Sequence, residues 1–291
     1  LATARRMTRV LMILTAPDIA ETGDFPCLAG VKNHDGSPLN RTSYPVLARD
    51  VVLHVGDAVA FVVAETELQA QEAAESIVVD WEPLPAAVEI DASLAEGAPL
   101  VRPELGNNIA FETKIGDEAA IDAIFARADR VVSLDIVNNR LVSNYMETRA
   151  CLAEYDRESG RWTITLGSQG SHDIRDNLAK NLLKVDPSRI RVITPDVGGG
   201  FGTKIFMYRE YPLCAVAAER LGRPVRWVAG RGEHFLADTH GRANATRAEM
   251  ALDKRGRFLG LKVDLRADIG AYLSQYAPYI PTEGIRMSPG C

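Results

Sequence analysis

Short segments in which hydrophobic and polar residues alternate recur through the second half of the chain, and each predicts a β-strand. Most are bounded by turn-forming residues, such as the charged turn 156–160 that ends in glycine. The last two are separated only by Lys254, Arg255 and Gly256, which predicts an antiparallel hairpin. The predicted strands of this half are 130–141, 151–155, 161–166, 190–194, 223–228, 243–253 and 257–268.

One strand–helix–strand unit is predicted in the first half. Residues 51–64 predict two β segments broken at Gly56, and residues 77–81 predict a further strand. Between them, Thr66 is a candidate N-cap for a helix over residues 67–76. The residues expected on the buried side of this helix are Leu68, Ala70, Ala73 and Ala74.

The elements fall into two regions joined by a segment of low periodicity. Residues 91–108 are rich in Pro, Gly and Ala and are predicted to be a linker between a domain at 1–90 and a domain at 109–291. The mixture of helices and strands predicts the α+β class. The helices predicted in the second domain are 117–128, 172–183 with Ser171 as its cap, and 208–221.

Composition narrows the function classes. A hydrophobic content of 46% and a charged content of 25% are typical of a soluble globular protein. The net charge of -6 argues against a nucleic-acid partner, which usually requires a basic surface. No apolar run approaches the length of a membrane span. The four cysteines (Cys27, Cys151, Cys214 and Cys291) contain no C-x-x-C pair, which favours a reducing, cytoplasmic location.

The two ends of the chain carry little predicted structure. Residues 1–45 contain short turn signals and are predicted to form loops. The chain starts at Leu1 rather than Met, and no helix or strand is predicted to close it at 287–291. We therefore expect a fragment of a longer protein.

The glycine-rich segment 196–204 is the strongest candidate for a ligand site. Four glycines lie within residues 198–202, after a predicted strand and before a predicted helix, together with the aromatic Phe201. The spacing is G-x-G-x-G rather than G-x-G-x-x-G, and Thr203 rather than glycine lies immediately before Lys204, so the segment matches neither a Rossmann nor a Walker loop. From residue types alone, the segment is either a structural glycine turn or a loop that cradles another cofactor. A nucleotide-phosphate binder is the third hypothesis.

A second strand-to-helix loop, 167–175, places Gln169 among small residues. The Gln169 amide can both donate and accept hydrogen bonds to a ligand. The alternative is that Gln169 caps backbone groups while His172 and Arg175 face solvent. Two such loops in succession favour one shared site.

Two further charged segments are assigned structural roles. The acid and arginine in 144–149 favour an ion pair that fixes a strand end over catalysis. The acids and histidines of 231–242 do not follow a known metal-binding spacing, so a structural or surface role is favoured there.

Seven segments, taken together and in order, resemble the large subunit of the molybdenum hydroxylases, the family of xanthine dehydrogenase, aldehyde oxidase and aerobic carbon monoxide dehydrogenase. They include Met146-Glu147-Thr148-Arg149 and the glycine loop that ends at Lys204. Thr203 stands where many relatives have Gly, and Thr148 where the carbon monoxide enzymes commonly have Pro. The segments are 55–66, 78–85, 146–149, 168–172, 197–204, 222–227 and 268–272.

The resemblance implies a partial α/β hammerhead domain, lacking its opening strand, followed by the first half of a molybdopterin-binding domain. It implies catalytic roles for Gln169, which would hydrogen-bond the apical oxo group, and for Phe201, which would wall the substrate pocket. No metal ligand is assigned in this chain, and the family's general-base glutamate is not among its residues. The cofactor-binding positions implied are Gln169, Gly170, Gly199, Gly200, Phe201 and Gly202.

The activity implied is hydroxylation of a carbon monoxide-, aldehyde- or N-heterocycle-type substrate with water as the oxygen source. The cofactor would be molybdenum-molybdopterin in its cytosine dinucleotide form. Electrons would pass to an Fe–S small subunit and an FAD-binding medium subunit, in a homodimer of heterotrimers. Because the later segments of the family are absent, we expect the 291-residue chain alone to bind cofactor weakly or not at all and to be inactive. The alternative is a non-catalytic assembly or interaction module that retains the fold.

Overall fold

The computed structural model describes residues 1–287, and the chain divides into two units, each built from three separate segments. The first unit consists of Leu1–Pro26, Ser43–Leu84 and Val142–Thr239. The second consists of Cys27–Thr42, Pro85–Leu141 and the described residues from His240 onward. Helices and strands occur in both, which confirms the predicted α+β class.

The strands and helices are numbered in chain order. The strands are β1 (Val10–Leu14), β2 (Phe61–Ala64), β3 (Arg130–Asn138), β4 (Ala150–Asp156), β5 (Arg161–Leu166), β6 (Ile190–Ile193), β7 (Val225–Val228), β8 (Asn244–Leu252) and β9 (Phe258–Ala267). The α-helices are α1 (Ala2–Arg6), α2 (Glu67–Glu75), α3 (Ile90–Leu94), α4 (Glu118–Ala126), α5 (Ser171–Asn177), α6 (Glu210–Leu221), α7 (Arg231–Ala237) and α8 (Tyr279–Met287). No helix of the described chain is long and apolar enough to span a membrane.

A two-stranded antiparallel sheet, β1 with β2, forms one part of the first unit. A small apolar cluster of Ala4, Ile13 and Ala73 ties it to α1 and α2. The Thr66 hydroxyl accepts a hydrogen bond from the Gln69 N–H at 3.3 Å, which confirms Thr66 as the N-cap of α2.

Several predictions for this region were wrong. Strand β1 lies in the segment predicted to be loop, residues 51–60 and 77–81 form no strand, and Leu68 is exposed. The segment 51–81 contains enough Val to resemble strands, but only 61–64 finds a hydrogen-bonding neighbour in β1. Strand formation depends on that distant partner, which local composition does not reveal.

A four-stranded sheet in the order β6-β5-β4-β7 forms the rest of the first unit. Strands β5 and β6 are parallel, and the other pairs are antiparallel. Helix α6 packs on this sheet, and the Trp162 Nε1–H donates to the Ala215 carbonyl of the helix at 3.1 Å. The predicted strands and the helix of this region are confirmed within one to two residues, because each carries a buried, periodic apolar face.

The helix that begins at Ser171 differs from the prediction in detail. Ser171 is its first residue rather than its cap, and Gly170 precedes it without a side-chain cap. After Asn177 the helix continues as a π-helical turn, Leu178–Leu183. Residues 231–237, for which the sequence predicts no element, form α7.

A three-stranded antiparallel sheet, β3-β8-β9, lies in the second unit. The β8–β9 hairpin is confirmed, and β3 pairs with β8 from Arg130↔Leu252 to Asn138↔Asn244. Helix α4 packs against β9 near Gly260, and the Asp117 carboxylate caps it by accepting the Ala120 N–H at 3.0 Å.

One face of this second sheet is apolar yet exposed. Leu134 pairs with Ala248, which pairs with Val263, and the neighbouring rows add Val132 and Ile136 to the same face. Leu134 is 60% exposed. This sheet therefore has a well-formed ladder of strands without a buried face over β3.

The end of the described chain is helical, since α8 runs to Met287. No helix or strand was predicted for 287–291, and this prediction was wrong at Met287, the last residue of α8. Residues 288–291, including Cys291, lie outside the described residues. Cys27, Cys151 and Cys214 are free thiols.

Candidate cofactor site

The glycine loop after β6 takes a backbone conformation that side chains disfavour. Gly199, Phe201 and Gly202 all have positive φ, at 95°, 49° and 87°. A non-glycine residue rarely occupies this region, so Phe201 is held there by its surroundings. Its ring is 77% exposed, an unusual position for a large aromatic side chain. The Phe201 side chain is therefore exposed to solvent in a loop whose neighbouring residues are glycines.

Gln169 is hydrogen-bonded to this loop through its side-chain oxygen and through its backbone N–H. The Gly202 N–H donates to Gln169 Oε1 at 2.9 Å, and the Gln169 N–H donates to the Lys204 carbonyl at 3.0 Å. Within residues 1–287 the Gln169 side-chain NH₂ group donates no hydrogen bond to protein. The two loops singled out in the sequence therefore meet, and one amide donor remains available for a ligand.

Gly200 is where the two loops come closest. A Cβ built on Gly200 would lie 2.4 Å from Gln169 Oε1 and 2.9 Å from its carboxamide carbon. Any side chain at this position would displace the Gln169 amide. Glycine at 200 therefore lets the Gln169 amide approach the loop, and the free NH₂ group of Gln169 fits a polar cofactor that needs one fixed donor.

Glu147 anchors both ends of the glycine loop. Its Oε2 accepts the Gly198 N–H at 2.9 Å and lies 2.7 Å from Lys204 Nζ, while the Glu147 N–H donates to the Gly198 carbonyl at 3.2 Å. The Lys204 side chain is fully buried, whereas that of Glu147 is 46% exposed. Hydrogen bonding to Lys204 lowers the pKa of Glu147, so the carboxylate is charged at neutral pH.

Tyr145 and Arg231 support this anchor from the other side. Lys204 Nζ lies 4.6 Å from the centre of the Tyr145 ring, a cation–π distance. The Tyr145 hydroxyl donates to Asp238, and burial together with that carboxylate raises the pKa of Tyr145. The Arg231 guanidinium donates to the carbonyls of Tyr145 and Met146 at 2.9 and 2.8 Å. The chain next to Glu147 is therefore rigidly held.

Arg149 belongs to a buried ion-pair network, which gives it a structural role. Its guanidinium lies 2.7 Å from both Glu210 and Asp238, and its Cζ is 3.6 Å from the centre of the Tyr208 ring. Burial alone would lower the pKa of Arg149, but the charge of Glu210 raises it above its usual value. The structural role favoured for 231–242 agrees with this network, since Asp238 belongs to that segment. Segment 144–149 also forms ion pairs, but its acid and arginine do not pair with each other, because Glu147 pairs with Lys204.

The remaining sequence candidates divide between the site and its surroundings. Gly170 lies next to Gln169, and the Ile174 N–H donates to its carbonyl at 3.1 Å. His172 is exposed and Arg175 pairs with Asp176 at 2.7 Å, so neither joins the loop. No group of three or more potential metal-ligating side chains is found among residues 1–287.

Sequence reasoning missed Glu147 and Lys204 as the residues that hold the loop. Lys204 at the end of the glycine loop is the one available sequence signal. If such a lysine is buried, as it is here, its ammonium group requires a carboxylate partner. The partner, however, lies 57 residues earlier in the chain. Nothing in local spacing identifies it.

Two known families match this chain. The family described as the molybdopterin cofactor-binding domain matches residues 101–291, and the a/b hammerhead domain of aldehyde oxidase and xanthine dehydrogenase matches residues 1–85. The chain belongs to the molybdopterin cofactor-binding family. The fold is therefore a hammerhead domain followed by part of a molybdopterin-binding domain, as the resemblance implied.

Relatives within the molybdopterin cofactor-binding family include large subunits of molybdenum oxidoreductases. The carbon monoxide dehydrogenase large chain of Hydrogenophaga pseudoflava is 33% identical over 258 residues, covering 82% of this chain and 32% of that protein. The nicotine 6-hydroxylase large subunit of Paenarthrobacter nicotinovorans is 31% identical over 271 residues, covering 92% of this chain and 32% of that protein.

A solved structure shares the fold. Quinoline 2-oxidoreductase from Pseudomonas putida 86 superposes with a TM-score of 0.85 at 33% identity, over 93% of this chain and 34% of that one. The chain thus spans about a third of the length of these family members.

Proposed function

We propose that this chain supplies one wall of the molybdenum-cofactor site of a hydroxylase large subunit. Gln169 and Phe201 would face the reacting centre, and Gly170, Gly199, Gly200 and Gly202 would contact the cofactor. The observation that carries the proposal is the hydrogen bond from the Gly202 N–H to Gln169 Oε1, which turns the other end of the Gln169 amide into a fixed free donor.

The physical roles of these residues follow from their geometry. The Gln169 NH₂ group would donate to an electronegative ligand atom, and its orientation costs no rearrangement because Oε1 is already bound. The exposed Phe201 ring would exclude water and contact a planar or apolar substrate. When bound, the molybdenum cofactor supplies two-electron oxidation of the substrate with water as the oxygen source.

The wider proposal follows from the relatives. The substrate would be of the carbon monoxide, aldehyde or N-heterocycle type, the cofactor of the cytosine dinucleotide form, and the electron acceptors an Fe–S small subunit and an FAD-binding medium subunit. The matches at 1–85 and 101–291 support a division into a hammerhead domain at 1–90, a linker at 91–108 and a molybdopterin-binding region at 109–291.

The test uses the chain labelled with ¹⁵N at its glycines, because Gly170, Gly199, Gly200 and Gly202 report directly on the site. Molybdopterin released anaerobically from a molybdenum enzyme is titrated against the chain, with molybdate and ATP as separate probes. We expect NMR shift changes at the loop glycines with molybdopterin only, even if binding is weak. Changes produced equally by ATP would favour the nucleotide hypothesis.

Gly200→Ala is the matched variant, because its Cβ would displace the Gln169 amide. Gly232→Ala in α7 is the control, since its Cβ meets no atom within 4 Å. We expect Gly200→Ala to abolish the molybdopterin-induced shifts and Gly232→Ala to retain them. Molybdopterin-induced shifts that Gly200→Ala and Gly232→Ala retain equally would contradict the proposal and favour the non-catalytic module.

A further inference from the structure

The glycine loop is anchored at its start and at its end by a single oxygen atom. Glu147 Oε2 accepts the Gly198 N–H at 2.9 Å and pairs with Lys204 Nζ at 2.7 Å. The residue between the strand end and Gln169 is also close, because a Cβ on Gly167 would lie 3.2 Å from the same oxygen. One carboxylate therefore lies beside both loops of the candidate site.

The packing around Glu147 is as specific as its hydrogen bonds. A Cβ on Gly198 would lie 2.5 Å from the Cβ of Glu147, so only glycine allows the two backbones to approach. The Glu147 N–H donates back to the Gly198 carbonyl at 3.2 Å. The two residues are thus fixed to each other by a reciprocal pair of contacts.

The charge of Lys204 makes this anchor obligatory. A fully buried ammonium group is costly unless it is paired, and within residues 1–287 its ion-pair partner is Glu147. The Lys204 carbonyl in turn accepts the Gln169 N–H at 3.0 Å. The ion pair therefore connects the start of the loop to the residue that presents the ligand donor.

We propose that Glu147 is a positioning residue of the cofactor site, which acts with Lys204 as a latch that sets the glycine loop against Gln169. The inference deepens the proposed function and rests on it for the identity of the ligand. Lys204 is buried and the Oε2 of Glu147 binds the loop, so we assign both residues a role through the loop rather than on the ligand.

A latch and a merely stabilising ion pair make different predictions at Gly202. Removing the Glu147 charge weakens the hydrogen bond of the Gly198 N–H directly, because its acceptor becomes a neutral amide oxygen. The Gly202 N–H has a different acceptor, Gln169 Oε1, and responds only if the loop itself moves. Solvent exchange of the Gly202 amide is therefore the decisive measurement.

The experiment compares Glu147→Gln, Lys204→Met and the double variant in the ¹⁵N-glycine-labelled chain without cofactor. We expect the Gly202 amide to exchange about tenfold faster in each single variant, with no further increase in the double variant. Gly222 and Gly241 are internal references, because their amides donate to the Ala218 and Leu141 carbonyls at 2.9 and 2.8 Å.

Glu65→Gln is the matched control, since it removes a carboxylate from the partly exposed pair with Arg223. It should leave Gly202 exchange unchanged. Unchanged Gly202 exchange in the Glu147 and Lys204 variants would overturn the latch, as would an equal acceleration at Gly222. Because no cofactor is present, this outcome is separate from failure of the molybdopterin titration.

Discussion

The two larger sheets of this protein are built from similar strands but differ in what covers them. The first-unit sheet, β6-β5-β4-β7, buries Ile164 and Trp162 beneath α6. The second-unit sheet, β3-β8-β9, leaves Leu134 and its apolar neighbours exposed. The alternation of apolar residues therefore specifies the strand, whereas burial depends on a covering element from elsewhere in the chain.

The same contrast applies to charge. Arg149 beside the first sheet is fully buried between Glu210 and Asp238, whereas Arg247 on the second sheet pairs with Asp135 at 3.1 Å and is 49% exposed. Arginine–carboxylate pairs of the same chemistry thus occur in very different surroundings. Variants in matched positions test how much the surroundings contribute.

The largest difference is expected between Arg149→Leu and Arg247→Leu. Arg149→Leu leaves two carboxylates buried without a cation, which costs about 3–5 kcal/mol of unfolding free energy. Arg247→Leu removes a solvent-screened pair and costs about 0–1 kcal/mol. Urea unfolding followed by circular dichroism measures both, and similar losses in the two variants would contradict the assigned burial of Arg149.

Apolar truncation gives the next largest difference. Ile164→Ala opens a cavity in the first sheet and should cost about 2–5 kcal/mol. Leu134→Ala removes surface that solvent already reaches, so we expect a loss below about 1 kcal/mol. The comparison uses the same unfolding measurement. A loss at Leu134 equal to that at Ile164 would mean that the exposed face is covered in solution.

The sequence predicted the strands of the two larger sheets better than those in the first half of the chain, for a physical reason. Strands β4 and β5 and helix α6 each combine periodic burial with clear turn residues, so local sequence and tertiary packing agree. Strand β1 and residues 77–81 were misassigned because their state depends on pairing across the chain. The cap at Thr66 was predictable because capping uses residues three positions apart, whereas Asp117, predicted as the first residue of its helix, is instead its cap.

The candidate site was predictable in its exposed parts only. The glycine loop and Gln169 stand out because they break the local pattern of their surroundings. The anchor Glu147 does not, since its partners Gly198 and Lys204 are more than fifty residues away. Residues that hold a loop in place are specified by three-dimensional packing, which a single sequence does not display.

Helix caps should contribute equally to the free energy of unfolding in the two units. They therefore serve as a reference for the comparison of the sheets. Thr66 caps α2 in the first unit and Asp117 caps α4 in the second, each by accepting one backbone N–H. We expect Thr66→Ala and Asp117→Ala each to lose about 1 kcal/mol of unfolding free energy. A large difference between them would show that the units differ in more than the cover of their sheets.

The smallest expected effect concerns two carboxylates whose pKa values are lowered by different donors. In the second unit, Asp253 accepts the Arg257 backbone N–H at 2.9 Å and its Nε–H at 2.6 Å, which lower its pKa. In the first unit, Asp18 accepts the neutral Thr15 hydroxyl at 2.6 Å and backbone N–H at 2.8 Å, which lower its pKa. Because both folded pKa values lie below the unfolded ones, each carboxylate contributes stability above its unfolded pKa and loses it as the pH falls through its folded pKa.

Carboxyl NMR titration of Arg257→Gln and Thr15→Val should show each pKa rising toward its usual value. Salt at about 1 M should raise both pKa values, since it screens the charge of Arg257 at Asp253 and the charges of Arg5 and Arg220 at Asp18. An unchanged pKa of Asp253 in Arg257→Gln would indicate that the Arg257 side chain contributes nothing there and that backbone N–H groups set the shift.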